Sequence, residues 1–223
     1  MSVRESASVV LFDLDGTLVD SAPDLIAAAA LLCEEIGSPP PPAEALRRSV
    51  SAGGSAMLRC ALPGGTDNAR IEALLPRFLE LYSQGIAVHT RLYPGISDVL
   101  DRLSDAGIAW GIVTNKPGWL TRSLLDQLDL AGRFAALVCG DCLSVKKPDP
   151  ATVRYACELA GAAVARAVVV GDDVRDVQAG RAAGTRTIAA AWGYLDGGDP
   201  ATWGADLVVK TPHELPGSLG LAP

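Results

Sequence analysis

The chain is poor in histidine, with only His89 and His213 among 223 residues. Neither sits in a G-x-S-x-G elbow or similar context, so a Ser-His or Cys-His nucleophile has no footing. Glycine-rich phosphate loops are missing in both common forms, G-x-x-x-x-G-K-[ST] and G-x-G-x-x-G. Positive charge is in deficit: 19 Lys and Arg face 26 Asp and Glu, for a net charge of −7. Such a chain lacks the basic face that a nucleic-acid backbone requires. Long apolar runs are missing too. The longest candidate, 25–33, has Asp24 before it and Glu34 and Glu35 after it, far short of the ~20 residues of a membrane span. No basic segment leads into an apolar run, so we expect no signal peptide, no membrane partner and a cytoplasmic protein. The five cysteines, at 33, 60, 139, 142 and 157, are odd in number and scattered. Cys139 and Cys142 have C-x-x-C spacing, but no second pair or nearby histidine completes a zinc site, so they read as thiols of the fold. Carboxylates are left as the main acid–base groups.

What is present begins at Val9-Val10-Leu11-Phe12, four apolar residues that read as a buried strand. Asp13 and Asp15 follow where the strand runs out, then Gly16 and Thr17. In an extended chain the i, i+2 spacing points both carboxylates the same way. Two adjacent anions repel unless one is protonated or a cation lies between them. Gly16 permits a tight turn, and Thr17 adds a hydroxyl and an N–H. Alone, D-x-D-G is ordinary turn chemistry; in this setting it suits a carboxylate attacking phosphorus beside a hard metal ion.

With 49% apolar residues, the chain can bury one α/β domain with an insertion, or two small domains. Further strands are expected at 109–113, 136–139, 167–170, 187–191 and 207–209. Helical patterns at 96–106, 119–128, 151–160 and 174–183 alternate with them, and Gly107, Gly161 and Gly184 stop three of these. That alternation predicts a mostly parallel sheet covered on both faces, with ligands at the carboxyl ends of its strands. Residues 20–90 break the rhythm. Ser21-Ala22-Pro23-Asp24 looks like a capping box opening a helix that the prolines 39–42 end. Helices follow at about 43–61 and 68–84. We expect this helical insertion to lie over the site as a lid, with 1–19 and 91–223 forming the core.

The remaining chemical candidates stand at strand ends. Thr114 and Asn115 can donate to a phosphoryl oxygen. Lys146 and Lys147 precede Pro148 and Asp149. After 168–170, Gly171 leads into Asp172, Asp173 and Asp176 at a helix start, oxygen ligands of the kind Mg²⁺ prefers. Taken in order, D-x-D-G-T, Thr, Lys-Pro and G-D-x-x-x-D resemble the four motifs of the haloacid dehalogenase (HAD) phosphatase superfamily across nearly the whole chain. The resemblance implies a Rossmann-like parallel-sheet core with a small α-helical cap inserted after the first strand. It implies Asp13 as nucleophile, Asp15 as general acid/base, and Thr114 and Lys147 as holders of the phosphoryl group, with Lys146 as a possible substitute. Asp172 would complete an Mg²⁺ site with Asp13 and Asp15, and Asp176 would be a further ligand or support it. Asp173 departs from the usual Ser or Thr and would add negative charge near the metal.

Within the superfamily, Val50-Ser51-Ala52-Gly53-Gly54-Ser55, Leu92-Tyr93-Pro94-Gly95 and Val113-Thr114-Asn115-Lys116-Pro117 look like phosphoglycolate phosphatases. Gly171 to Asp176, Ala179 to Thr185 and Trp203-Gly204-Ala205-Asp206 look like the N-acetylmuramic acid 6-phosphate phosphatases of peptidoglycan recycling. The expected reaction is Mg²⁺-dependent hydrolysis of a small phosphorylated metabolite through an aspartyl phosphate. 2-Phosphoglycolate leads, N-acetylmuramic acid 6-phosphate is the alternative, and a phosphosugar mutase ranks lower. A dehalogenase does not need Asp15, and a binding module would not keep all the motif residues. Gly53 and Gly54, on a cap turn, are candidates for substrate contact, and the expected state is a monomer or homodimer.

Overall fold

Strand β1, Val9–Phe12, has four apolar side chains, all fully buried. Alternation sorts them by face. Val10 and Phe12 enter one hydrophobic layer, Val9 and Leu11 the other. The structure, a computed structural model, describes residues 7–64 and 66–221. After β1 come β2 (Val19–Asp20), α1 (Ala22–Glu35), α2 (Ala43–Arg48), α3 (Gly54–Ala61), α4 (Asn68–Gln84) and β3 (Arg91–Leu92). Then follow α5 (Ile96–Asp105), β4 (Ala109–Val113), α6 (Gly118–Gln127), β5 (Ala136–Val138), α7 (Ala151–Leu159) and β6 (Ala167–Gly171). The chain continues through α8 (Val174–Ala183), β7 (Arg186–Ala190), β8 (Leu207–Val209) and α9 (Leu215–Leu219).

Six strands form one parallel sheet in the order β5-β4-β1-β6-β7-β8. Helices α5 and α6 contribute to the layer of Val10 and Phe12, and α7 and α8 to the layer of Val9 and Leu11. This is the expected Rossmann-like α/β core, with element ends within about two residues of the expected ones. Gly107, Gly161 and Gly184 lie at or just past helix ends with φ of +67°, +64° and +98°. The chain lays strands on one side of β1 and then on the other. A crevice therefore opens at the carboxyl ends of β1, β4 and β6.

The insertion enters and leaves through a pair of strands that the sequence did not reveal. β2 and β3 are antiparallel, with Val19 opposite Leu92 and Asp20 opposite Arg91. Two-residue strands are too short to show a period. The expected helix over 43–61 is two helices, α2 and α3. The break at 49–53 ends on Gly53, whose φ of +88° a side chain would resist. The expected capping box at Ser21–Asp24 does not form, although α1 starts there. Ser21 donates instead to Asp15 Oδ1 at 2.6 Å. The buried Asp24 carboxylate accepts from the N–H groups of His89 and Thr90 and from the Thr90 hydroxyl. Tertiary donors have outcompeted the local cap, and they tie the two ends of the insertion together. Leu32, Met57, Ile71, Phe78 and Tyr82 of the insertion belong to the same apolar cluster as Phe12. Among the described residues, no helix is long and apolar enough to cross a membrane.

Candidate active site

The β1 ladder runs one residue past the strand, with Asp13 N–H donating to Val170 O at 2.9 Å. This sets Asp13 between the ends of β4 and β6. Gly16 then turns the chain with φ +87°, and a Cβ there would collide with the Asp172 carboxylate. Asp13 Oδ1 accepts from the Leu14 N–H at 2.7 Å and pairs with Lys147 Nζ at 2.8 Å. Lys147 is buried and also reaches Asp176 Oδ1 at 2.6 Å and Val113 O at 2.7 Å. Those three contacts match the three protons of an ammonium group. Lys146 is exposed, so Lys147 is the lysine among the carboxylates.

Asp13, Asp172 and Asp176 form one cluster, each offering an oxygen within 4.8 Å of the others. Asp172 is fully buried. Its Oδ1 accepts from the Thr17 hydroxyl, and its Oδ2 from the Ser51 hydroxyl and the Tyr194 N–H, all at 2.9 Å. Burial, and next the charge of Asp13, push its carboxyl up to about 7. Burial likewise holds Asp176 well above the usual carboxylate range; Asp13 and Asp172 add to this, while Lys147 opposes it. When all three are ionised, three carboxylates against one ammonium leave two negative charges for a divalent cation to balance. The donor set, all oxygen, suits Mg²⁺.

Asp15 was expected among the metal ligands, but its carboxylate lies outside this cluster. It is held by Ser21 and by Lys116, whose Nζ lies 3.0 Å from Oδ1 and 3.2 Å from Oδ2. Lys116 is buried and also donates to the Tyr82 hydroxyl of α4 at 2.9 Å. Burial works against its charge, yet Asp15 outweighs this and keeps the ammonium harder to deprotonate than usual. Lys116 has no local sequence signal for this role, because its partners lie 101 and 34 positions away.

Asp173 does not add free charge to the cluster. It caps α8 in a capping box with Asp176 and is gripped by Arg175 through Nε and Nη2, both at 2.7 Å. Burial opposes ionisation of Asp173, but the Arg175 contacts prevail and hold its carboxyl below the usual range. Arg175 also donates to Ser51 O at 2.7 Å, so the 49–53 loop is bonded to both Asp172 and Arg175. Asn115 lines the cavity and also serves the main chain. Its amide is bonded both ways to the main chain of Lys147, at 3.1 and 3.0 Å, and so brackets β4 to the lysine loop. The Thr114 hydroxyl is buried and accepts the Lys116 N–H at 3.2 Å.

One cavity of about 310 Å³ is lined by Asp13, Asp15, Thr114, Asn115, Lys147, Asp176, Gly53 and Gly54, with Asp172 behind the wall. The insertion's share of the lining is mostly apolar: Leu25, Val50, Met57, Leu75, Phe78, Leu79 and Tyr82 beside the 51–55 stretch. Gly54 packs so closely that a Cβ would come within 2.8 Å of Leu75 Cδ1. Cys139 and Cys142 lie outside this lining and, like the other cysteines, are free thiols.

A family model described as haloacid dehalogenase-like hydrolase matches residues 10–190. A phosphoglycolate phosphatase of Xanthomonas campestris is 45% identical over 92% of this chain and 93% of its own. An N-acetylmuramic acid 6-phosphate phosphatase of Pseudomonas aeruginosa is 41% identical over 95% of this chain and 94% of its own. Among solved structures, a predicted phosphoglycolate phosphatase from Haemophilus somnus superposes with a TM-score of 0.85 at 24% identity, covering 94% of this chain and 96% of that one. That likeness confirms the fold. The family match and the two curated relatives carry the rest: the chain belongs to the haloacid dehalogenase-like hydrolases and is a phosphoric monoester hydrolase.

Proposed function

We propose that the chain hydrolyses a small phosphomonoester through an aspartyl phosphate on Asp13, with Mg²⁺ as cofactor. The observation that carries this reading is the grouping of Asp13, Asp172 and Asp176 around Lys147 at the strand ends. Asp13 forms a bond to phosphorus while the ester P–O bond breaks, and Asp15 gives its proton to the leaving oxygen. Water then attacks the phosphoryl group, Asp15 takes a proton from it, and Asp13 is released. Lys147 and the Thr114 hydroxyl hold the phosphoryl oxygens. Asn115 acts indirectly, by fixing the Lys147 loop. Asp13, Asp172 and Asp176 would hold Mg²⁺, which would neutralise charge on the transferring group. Residues 20–90 act as the cap that excludes bulk water and reads the leaving group.

The relatives' names offer two leaving groups, glycolate and N-acetylmuramic acid. 2-Phosphoglycolate leads on sequence, but the cavity favours the larger sugar. A two-carbon acid fills little of a cavity of about 310 Å³, and among the described residues the insertion places no cation in the lining. Leu75 and Leu79, both half-buried in that lining, instead offer apolar surface to ring faces and methyl groups. Lys146, exposed at the cavity, has no carboxylate partner among the described residues and is available to the carboxylate that both leaving groups carry, so it does not separate them.

Phosphate release from both compounds and from p-nitrophenyl phosphate, with Mg²⁺ and with a chelator, tests the reading. Release that needs Mg²⁺, with kcat/KM higher for the sugar phosphate, is expected. Full release in the chelator sinks the cofactor assignment. Preference for 2-phosphoglycolate reverses the order of substrates.

A further inference from the structure

Lys116 is a buried ammonium group that the reaction as written does not use. Its contacts are the two Asp15 oxygens at 3.0 and 3.2 Å and the Tyr82 hydroxyl at 2.9 Å, which match its three protons. It therefore presents a fixed grip to Asp15. Its main chain is fixed as well: its N–H donates to the Thr114 hydroxyl at 3.2 Å, and its carbonyl accepts the Gly140 N–H at 2.9 Å. The Asp15 carboxylate has one further anchor, the Ser21 hydroxyl at 2.6 Å. Ser21 stands at the start of α1, and Tyr82 lies on α4 with 1% of its surface exposed. Of the groups that locate this core carboxylate, one belongs to the insertion and another is itself bonded to the insertion.

We propose that Lys116 is the positioning residue of Asp15, and that the Tyr82 hydroxyl makes this position depend on the seating of α4. The proposal rests on the reading of Asp15 as the group that exchanges a proton with the leaving oxygen. With α4 in place, the ammonium group has a third partner and the carboxylate is held on both oxygens. With α4 lifted, Lys116 loses the hydroxyl, and Asp15 is gripped by an ammonium group that is itself less fixed. The Asp15 carboxylate is then less constrained to the place where the ester oxygen arrives. Seating the insertion and aiming the proton donor become one event, which protects the aspartyl phosphate step from starting while the site is open to bulk water. The step itself is unchanged: the O–H bond of Asp15 breaks and its proton passes to the ester oxygen as the P–O bond breaks.

Lys116→Met strands a part-buried carboxylate and a buried tyrosine hydroxyl and invites misfolding, so Tyr82→Phe is the cleaner probe, removing one oxygen atom. The measurement is the pre-steady-state release of the leaving group from a sugar phosphate and from p-nitrophenyl phosphate. General acid catalysis contributes about 10²–10⁴-fold, and misplacing the acid forfeits part of that. We expect Tyr82→Phe to slow release from the sugar phosphate by roughly tenfold with KM little changed, and to leave p-nitrophenol release nearly unaltered. In the Asp15→Asn background the same substitution should add no further loss. Equal slowing for both leaving groups, or a full Tyr82→Phe effect in the Asp15→Asn background, overturns the positioning role. An Asp15→Asn variant that loses equally on both leaving groups overturns the proton-exchange reading, and the proposal with it. That outcome is seen in the single variant alone.

Discussion

Replacing Lys147 by Met removes the one ammonium group that touches two of the three clustered carboxylates while keeping the length and apolar stem of the side chain. Its side chain is 4% exposed, and its partners Asp13 and Asp176 are 11% and 2% exposed. Screening by water is therefore weak, and deleting one partner of a buried ion pair costs about 3–5 kcal/mol. For a chain of this size, 1 kcal/mol moves Tm by about 2–4 °C, so the metal-free variant should melt about 6–20 °C below the parent. Three uncompensated carboxylates also attract a divalent cation more strongly than two negative charges do. Mg²⁺ should therefore raise Tm further in Lys147→Met than in the parent, since a ligand stabilises by RT ln(1 + [L]/Kd). Calorimetry in chelator and at several Mg²⁺ concentrations reads both effects, and phosphate release should fall for every substrate together. An equal Mg²⁺ increment in both proteins would refute the shared charge balance between Lys147 and the metal.

Asp13→Asn should abolish turnover with folding intact, because an amide is a poor nucleophile toward phosphorus; substantial turnover in the pure variant removes the covalent step. Asp15→Asn should impair leaving-group release more for alkyl than for p-nitrophenyl esters, read from the first-turnover rate. Substituting Ser51 should change the ratio of kcat/KM between substrates by about 1–3 kcal/mol if a polar contact is lost, whereas a uniform loss would place the loop outside substrate selection. Asp172, raised to about 7 from 3.8, binds protons more tightly folded than unfolded. Its contribution to metal-free stability is therefore present below pH about 4 and is lost as pH rises toward about 7. Saturating Mg²⁺ should suppress that fall in a Tm-against-pH series.

The parallel core was legible because each long strand is a run of apolar residues with a turn signal after it, and each core helix has a period of its own. The acidic residues were legible because β1 and β6 deliver them at strand ends, where local spacing and tertiary position coincide. What escaped depends on partners far away in the chain. Ser21 and Asp24 have the residue types of a cap, but Asp15, His89 and Thr90 claim their oxygens. Asn115 has the right chemistry for a phosphoryl oxygen, and only the arrival of the Lys147 loop shows where its amide goes. Asp173 reads as surplus charge until Arg175 is seen folded back on it. A pair of two-residue strands and a lysine meeting a tyrosine 34 positions away leave no local mark.

The central place of β1 has a consequence for how the molecule is made. The strand leaves the ribosome well before its two sheet neighbours, β4, 100 positions on, and β6, 158 positions on, as the pairings of Val9 with Ala109 and with Ala167 show. Until both arrive, four of the most apolar residues in the chain have no edge to join. Such late, non-local closure is slow, and it leaves the nascent chain exposed to aggregation. Asp13 hangs from that strand, so it is assembled among the last. Recovery of catalytic rate after dilution from denaturant should trail the recovery of helical signal, and activity becomes a strict clock for completion of the sheet.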